Sequence, residues 1–205
     1  MDEAEPGSRK RTIGLVIAVL VVGLVVAGFV LLAGGGSFAE LVDVTREAEG
    51  AEVWRTYFTA EDCLLDALTE DPEAISGAIE RLQDQTSALA GHVDVSLTNL
   101  ESFGTRPWQA SLRTAQQAIV DHYVVWEEHL AAAGPVLDGI GSEPSSITDG
   151  ITTWIELAQN AVEPISSTFE EAGVAFEEAA ETGADQQLIE ALFIPADVSC
   201  TRAAV

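Results

Sequence analysis

The sequence predicts an all-α protein, with one N-terminal transmembrane helix followed by an extracytoplasmic up-and-down four-helix bundle, a short C-terminal helix and a tail. Three observations support this prediction. Residues 12–33 form an apolar run of 22 residues without a charge. Beyond it, apolar residues recur at spacings of three and four over four long segments, as amphipathic helices require. No exterior segment shows the sustained apolar–polar alternation of a β-strand.

The apolar run is long enough to cross a membrane. At about 1.5 Å of rise per residue, a helix of this length covers the roughly 30 Å of a bilayer's hydrocarbon core. Arg9, Lys10 and Arg11 directly precede the run, and basic residues are retained on the cytoplasmic side during insertion. We therefore expect residues 1–11 to form a cytoplasmic tail and residues 38–205 to lie outside the cell membrane.

A cleaved signal peptide is the alternative interpretation of this run. Ser37, Phe38 and Ala39 form a small-x-small pattern that fits a cleavage site. The apolar region of a signal peptide is usually about 7–15 residues long, however, and the run here is longer. Its length favours a retained anchor, joined to the domain by a flexible glycine-rich hinge at residues 34–37.

The first exterior segment is helix-compatible from Phe38, is interrupted at Gly50, and contains a cap-like sequence at Thr59 that suggests a kink or two short helices. Asp71-Pro72-Glu73 is a clearer helix start, because an N-cap acid precedes a proline in the first turn. This second helix is predicted to end at Gly104-Thr105-Arg106-Pro107, where the third begins.

The third helix is predicted to end at Gly134-Pro135, before a connection that runs to Ser146. The fourth apolar stripe keeps its phase through Pro164, so we expect a kinked but continuous helix there. A short helix over residues 185–193 follows. The predicted inner faces carry Val53, Tyr57, Leu64 and Leu68; Ile75, Ile79, Leu82, Leu89, Val93, Leu97 and Leu100; Trp108, Leu112, Ala115, Ile119, Trp126, Leu130 and Ala133; and Ile147, Ile151, Trp154, Ala158, Ala161, Ile165, Ala172, Phe176 and Ala179.

The net charge of −25 lies entirely in the exterior part of the chain. There are 34 acidic and nine basic residues, and the three acids and three bases of residues 1–11 cancel. The exterior part contains no lysine. Such a surface cannot neutralise a row of phosphates, so nucleic acid is excluded as a partner. The dispersed acids are typical of a solvated surface and not of a calcium loop.

Both cysteines, Cys63 and Cys200, fall in the predicted exterior part. Outside the cytoplasm the expected state of such a pair is a disulfide, which would close a loop of nearly the whole domain and contribute on the order of 4 kcal/mol. Two buried thiols are the alternative. With the bridge, the tail must run back along the bundle, and its packing face would consist of Leu188, Ile189, Leu192 and Phe193.

Four aromatic residues are predicted to lie at similar heights in the bundle. Counting residues back from each predicted turn places Trp54, Tyr57, Trp126 and Trp154 in one layer. We expect these side chains to fill the core, which is the common role of buried aromatic residues. The alternative is that they line a small pocket between helices.

The sequence carries no recognisable catalytic or metal-binding motif. His92, His122 and His129 occur in neither a Glu-x-x-His nor a His-Glu-x-x-His pattern, which are the spacings of helical metal sites. Nucleophile elbows and phosphate-binding glycine loops are also missing. We therefore expect no catalytic residues, no cofactor, no metal and no identifiable small-molecule ligand. A metal-dependent or hydrolytic enzyme is the low-ranking alternative.

The predicted span contains two small-xxx-small spacings, Gly14 with Ala18 and Gly23 with Ala27. Such spacings allow two membrane helices to approach closely. They are candidate contacts for self-association or for docking beside another membrane protein. Ordinary small-residue content of a membrane helix is the alternative.

These features together indicate a membrane-anchored protein of a prokaryotic cell envelope that acts by protein interaction, as an accessory or scaffold subunit. The preference for arginine over lysine suggests the prokaryotic source. The layout is similar in outline to bacterial membrane-tethered helical sensor domains, but no motif carries this likeness, so it gives no residue a role. The alternative function is a ligand-sensing extracytoplasmic module that signals through a membrane partner.

Overall fold

The computed structural model describes residues 35–50, 52–141, 143–181 and 183–189. The predicted span at 12–33 lies outside these residues, as do its four contact positions and Cys200. Across the described ranges, none of the helices has the length and apolar character needed to cross a bilayer.

All regular structure in the described ranges is helical, which confirms the prediction of an all-α fold there. The helices are α1 (Phe38–Glu49), α2 (Glu52–Glu70), α3 (Ile75–Ser102), α4 (Ala110–Asp138), α5 (Pro144–Ala179) and α6 (Gly183–Ile189), and a 3₁₀ turn at Pro72–Ala74 leads into α3. α2 packs on α3, α3 on α4 and α4 on α5. The chain therefore forms a helical bundle in which α1 and α2 together make the first limb.

The first limb is interrupted at Gly50, as its sequence suggested. α1 begins with a capping box, in which the Ser37 hydroxyl accepts a bond from the Glu40 N–H and the Glu40 carboxylate accepts one from the Ser37 N–H. It ends where the Gly50 N–H bonds to the Arg46 carbonyl at 2.8 Å. The predicted second break near Thr59 is wrong. The Thr59 hydroxyl bonds back to the Arg55 carbonyl at 2.7 Å, which leaves α2 continuous.

Two predicted boundaries shift because tertiary packing overrides local signals. Asp71 makes no side-chain cap bond, and the α-helix starts only at Ile75, after the 3₁₀ turn. α4 continues through Pro135 to Asp138, since Leu137 is fully buried and its carbonyl accepts a 2.6 Å bond from Gln83 Nε2 of α3. α5 runs without a break through Pro164, as predicted.

The predicted inner faces are buried at most positions and half-buried near helix ends, at Val53, Leu68, Ile75 and Ile147, with two exceptions. Trp108 is 60% exposed because it lies in the turn before α4 and not on the helix itself. The middle of α5 is the other exception, since Ala158, Ala161 and Ile165 are only half-buried. α5 packs chiefly on α4, so a single neighbour covers this stretch.

The start of α1 meets the end of α5 at one end of the bundle, which we call the base. The rings of Phe38, at the start of α1, and Phe176, near the end of α5, lie 6.0 Å apart. α6 packs on both α1 and α5. Of the predicted packing face of the tail, Leu188 is half-buried and Ile189 is buried, whereas Leu192 and Phe193 lie outside the described residues.

Candidate functional site

Four buried aromatic side chains and the half-buried Phe58 form one cluster between α2 and α4, which we call the aromatic cluster: Trp54, Tyr57, Phe58, Tyr123 and Trp126. The Trp54 and Trp126 rings are 4.9 Å apart with an interplanar angle of 70°. Trp126 also meets Tyr57 at 6.3 Å and Phe58 at 5.9 Å, both edge to face. Edge-to-face contacts at these distances add stabilisation beyond the burial of area.

The structure brings together three of the four residues of the predicted aromatic layer. Trp154 of α5 is 2% exposed, but no ring contact joins it to the cluster among the described residues. Phe58 and Tyr123 also belong to the cluster, although the predicted layer did not include them. Tyr123 precedes Trp126 by one helical turn and therefore shares its face of α4; this spacing is the signal that identifies it.

The break between α1 and α2 is connected to this cluster through a single carbonyl. The Ala48 carbonyl accepts hydrogen bonds from Trp54 Nε1 at 2.8 Å and from His92 Nε2 of α3, also at 2.8 Å. Carbonyls in the last turn of a helix lack intrahelical partners, so this one is available for side chains of two other elements. The end of α1 is thereby fixed to α2 and α3.

Two carboxyl groups are buried beside the tyrosines of the cluster. The Tyr57 hydroxyl donates to Glu61 Oε1 at 2.9 Å. Burial raises the pKa of Glu61 to about 7, partly opposed by this hydrogen bond, and burial likewise raises the pKa of Glu49 to about 7 beside Tyr123. Neither Glu49 Oε1 nor the Tyr123 hydroxyl has a hydrogen bond of normal geometry.

The same two carboxyl groups act on the tyrosines that face them. Burial, followed by the charge and hydrogen bond of Glu61, raises the pKa of Tyr57, and Glu49 adds to the effect of burial on the pKa of Tyr123 in the same way. Both tyrosines are therefore neutral at physiological pH. Near pH 7 the charge inside this part of the bundle depends on the two glutamates.

The two histidines of α4 are buried rather than solvent-facing. His122 Nδ1 lies 3.0 Å from Thr168 Oγ1 of α5, and burial lowers the pKa of His122 to about 4, partly opposed by a hydrogen bond that the ring donates to the Ile165 backbone. Burial also lowers the pKa of His129. In the described part of the chain, no group of three or more histidine, cysteine or acidic side chains could hold a metal ion.

Two open clefts border the bundle. One of about 130 Å³ lies between α1 and α3 and is lined in part by Glu47, His92 and Val95. The other, of about 380 Å³, lies at the base and is lined in part by Phe38 and Trp108. Neither is lined by the two buried glutamates or by Trp126 and Trp154. The chemistry of the aromatic cluster is thus not presented to either cleft.

The chain that enters the domain is bound to the turn between α3 and α4 at the base. The Gly36 N–H donates to the Gly104 carbonyl at 2.8 Å, and Gln109 Nε2 donates to the Gly36 carbonyl at 3.0 Å. Gln109 Oε1 in turn accepts the Arg106 N–H at 2.7 Å. Within the described part of the glycine-rich segment, Gly36 is therefore held to this turn by two hydrogen bonds.

Comparison of the chain with models of known protein families, with curated proteins and with solved structures gave no match. Its function is therefore argued from its own geometry.

Proposed function

We propose that this chain is a single-pass membrane protein of a prokaryotic cell envelope whose exterior helical bundle acts by protein interaction, as an accessory or scaffold subunit. Residues 12–33 are its anchor, residues 1–11 lie in the cytoplasm and residues 38–205 lie outside. The two small-xxx-small spacings of the anchor are its candidate contacts within the membrane.

The observation that carries this proposal is the filled interior around Trp126. A ligand-sensing module would use the predicted aromatic layer as the wall of a pocket. Instead, Trp54 and Trp126 are each only 7% exposed and contact one another directly at 4.9 Å. The chain's own side chains occupy that space, which favours its surfaces over its interior as the place where it meets other molecules.

Retention of the anchor is supported by the start of α1. Cleavage after Ala39 would separate Ser37 from Glu40 and so remove the capping box that stabilises the first turn of that helix.

 The same cleavage would also release Phe38, whose ring packs on Phe176 with a centroid distance of 6.0 Å. The domain therefore gains stability from residues that a signal peptidase would remove.

The exposed apolar side chains of the bundle are the candidate contacts outside the membrane. Five large apolar residues of α2, α3, α5 and the turn between α3 and α4 are roughly half exposed or more: Leu65, Val95, Trp108, Val162 and Val174. Single exposed apolar residues are common on protein surfaces. Because Val162 lies within the half-buried stretch of α5 and Val174 lies further along the same helix, we propose α5 as the exterior interaction surface.

The proposal is tested by affinity capture of the full-length chain from its own membranes in mild detergent. A stoichiometric protein partner, or a second copy of the chain, should co-purify. A Gly14→Leu/Gly23→Leu variant should lose this partner if the span makes the contact, whereas Gly28→Leu, a matched substitution outside both spacings, should retain it.

Recovery of the parent chain alone, as a monomer, would contradict the proposed interaction. A partner that is retained by the Gly14→Leu/Gly23→Leu variant but lost on Val162→Asp would move the contact from the span to α5. A partner lost equally with Gly28→Leu would show that the leucine substitutions disturb the span in general.

A further inference from the structure

We propose that the base turn, residues 103–109 between α3 and α4, rests on the headgroup layer of the lipid bilayer, with the Trp108 indole among the lipid headgroups. This inference rests on the proposed function, because it requires residues 12–33 to be the membrane anchor. It adds a second point of contact between the domain and the lipid.

The length of chain between the anchor and the base turn limits their separation. Gly36 is fixed to the turn by hydrogen bonds to Gly104 and Gln109. Ala33, the last residue of the apolar run, is three residues before Gly36, and consecutive Cα atoms are 3.8 Å apart, so the separation is at most about 11 Å. The polar layer on each side of the hydrocarbon core is roughly 5–8 Å thick, so the turn lies at or next to that layer.

The packing of the entering chain against the turn leaves no room for a side chain. A Cβ atom added to Gly36 would overlap the Phe103 ring, and one added to Gly35 would overlap the Arg106 side chain. The close approach favours glycine at both positions, most strongly at Gly36, where the neighbour is a rigid ring. The turn therefore contacts Gly35 and Gly36 directly, and these residues closely follow the proposed anchor.

The residue types of the turn suit a bilayer interface. Trp108 is 60% exposed, whereas the other three tryptophans are at most 7% exposed. Tryptophan is enriched at membrane interfaces, where its ring meets apolar chains and its N–H meets polar groups. The Arg106 guanidinium lies 5.8 Å from the Trp108 ring centroid, and the exposed Arg113 side chain bonds to the carbonyls of Arg106 and Pro107.

The charges around the base turn are of both signs. Two of the six arginines in residues 38–205 are in or beside the turn, where they face the level of the lipid phosphates. Glu181 and Asp185 line the base cleft next to Trp108, so the surface is mixed in charge rather than strongly basic. We therefore expect contact through the indole in zwitterionic lipid, without a requirement for anionic lipid.

The experiment places the full-length chain in phosphatidylcholine vesicles and measures the quenching of tryptophan emission by spin-labelled lipid. A label near the headgroup should quench part of the emission, and a label deep in the acyl chain should quench less. Trp108→Phe should abolish the quenched part, because the remaining three tryptophans are buried. Circular dichroism verifies that the variant keeps its helical content.

A second variant tests whether the contact between Gly36 and the base turn keeps the turn at the lipid headgroups. Gly36→Ala should reduce headgroup-level quenching of Trp108, since the added methyl group meets the Phe103 ring. Gly91→Ala is the matched control, because a Cβ there meets nothing within 4 Å.

Flotation of the vesicles separates the two proposals. If the chain floats with the vesicles but the parent and Trp108→Phe are quenched equally, the base turn does not lie on the bilayer and this inference is overturned, while the anchor stands. If the chain fails to float, both the anchor and the inference are overturned.

Discussion

The buried carboxyl group of Glu61 gives the sharpest prediction about the stability of the bundle. The substitution Glu61→Gln keeps the shape of the side chain and an oxygen that can accept the 2.9 Å hydrogen bond of the Tyr57 hydroxyl, but it removes the charge. We expect the variant to be more stable than the parent at pH 8.5 and equally stable at pH 4.5.

The magnitude follows from the pKa of the carboxyl group in the two states. In the unfolded chain the pKa is 4.5, and burial raises it to about 7 in the folded state. The folded state therefore binds more protons between these values, so the free energy of unfolding falls as the pH rises from about 4.5 to about 7. At 1.36 kcal/mol for each pH unit, the loss is at most about 3 kcal/mol.

The assay is thermal unfolding of the full-length chain in detergent, followed by circular dichroism at several pH values between 4.5 and 8.5. One kcal/mol shifts the Tm of a domain of this size by roughly 2–4 °C. Glu61→Gln should thus raise the Tm by up to about 10 °C at pH 8.5. The control is Glu80→Gln, which removes the same charge from an exposed position on α3 and should have little effect.

A Tm difference between Glu61→Gln and the parent that is the same at every pH would refute a raised pKa of Glu61 in the folded state. The raised pKa would also be refuted if Glu80→Gln gave an equal stabilisation at pH 8.5, because the effect would then come from the net charge of −25 and not from burial.

Three further predictions concern the core, the base and the cysteines. Trp126→Ala should lower the free energy of unfolding by about 3–5 kcal/mol in a denaturant titration, and a loss below 1 kcal/mol would contradict the packed aromatic cluster. Gly36→Ala should lower the Tm, whereas Gly91→Ala in the interior of α3 should raise the free energy of unfolding by about 0.5–1 kcal/mol. The opposite order would contradict the close contact between Gly36 and the Phe103 ring. Mass spectrometry without reduction should find Cys63 linked to Cys200, and reduction should lower the Tm; two unlinked peptides would rule out the bridge.

Much of the bundle could be predicted from apolar spacing alone. Ile79, Leu82, Leu89 and Val93 repeat at helical intervals over the length of α3, and all four are buried. The break at Gly50 was also visible, since glycine weakens a helix wherever packing does not compensate.

The helix ends were less predictable, because they depend on contacts between distant residues. Pro135 is a strong local stop signal, yet α4 passes through it, since the Leu137 carbonyl meets Gln83 from α3. Trp108 fits the apolar stripe by its spacing but lies before the helix starts at Ala110. The spacing of apolar residues predicts a buried face only where those residues lie within a helix.

The buried acids could not have been identified from the sequence. Glu49 and Glu61 are two of 34 acidic residues, and nothing in their neighbours distinguishes them from the solvated ones. Glu61 lies one turn after Tyr57 on α2 and accepts its hydroxyl bond where that helix packs into the bundle, and Glu49 lies beside Tyr123 of α4 because α1 ends at Gly50. That arrangement is a property of the tertiary fold.

We propose above all that an uncleaved anchor holds the bundle against the outer face of a membrane. The most direct test expresses the chain in a prokaryotic host with tags at both ends and combines alkaline extraction with protease treatment of intact spheroplasts. We predict that the full-length chain resists extraction, that protease removes the C-terminal tag and domain, and that the N-terminal tag stays protected. Release of the domain by alkali, or protection of the C-terminal tag in intact cells, would contradict the account.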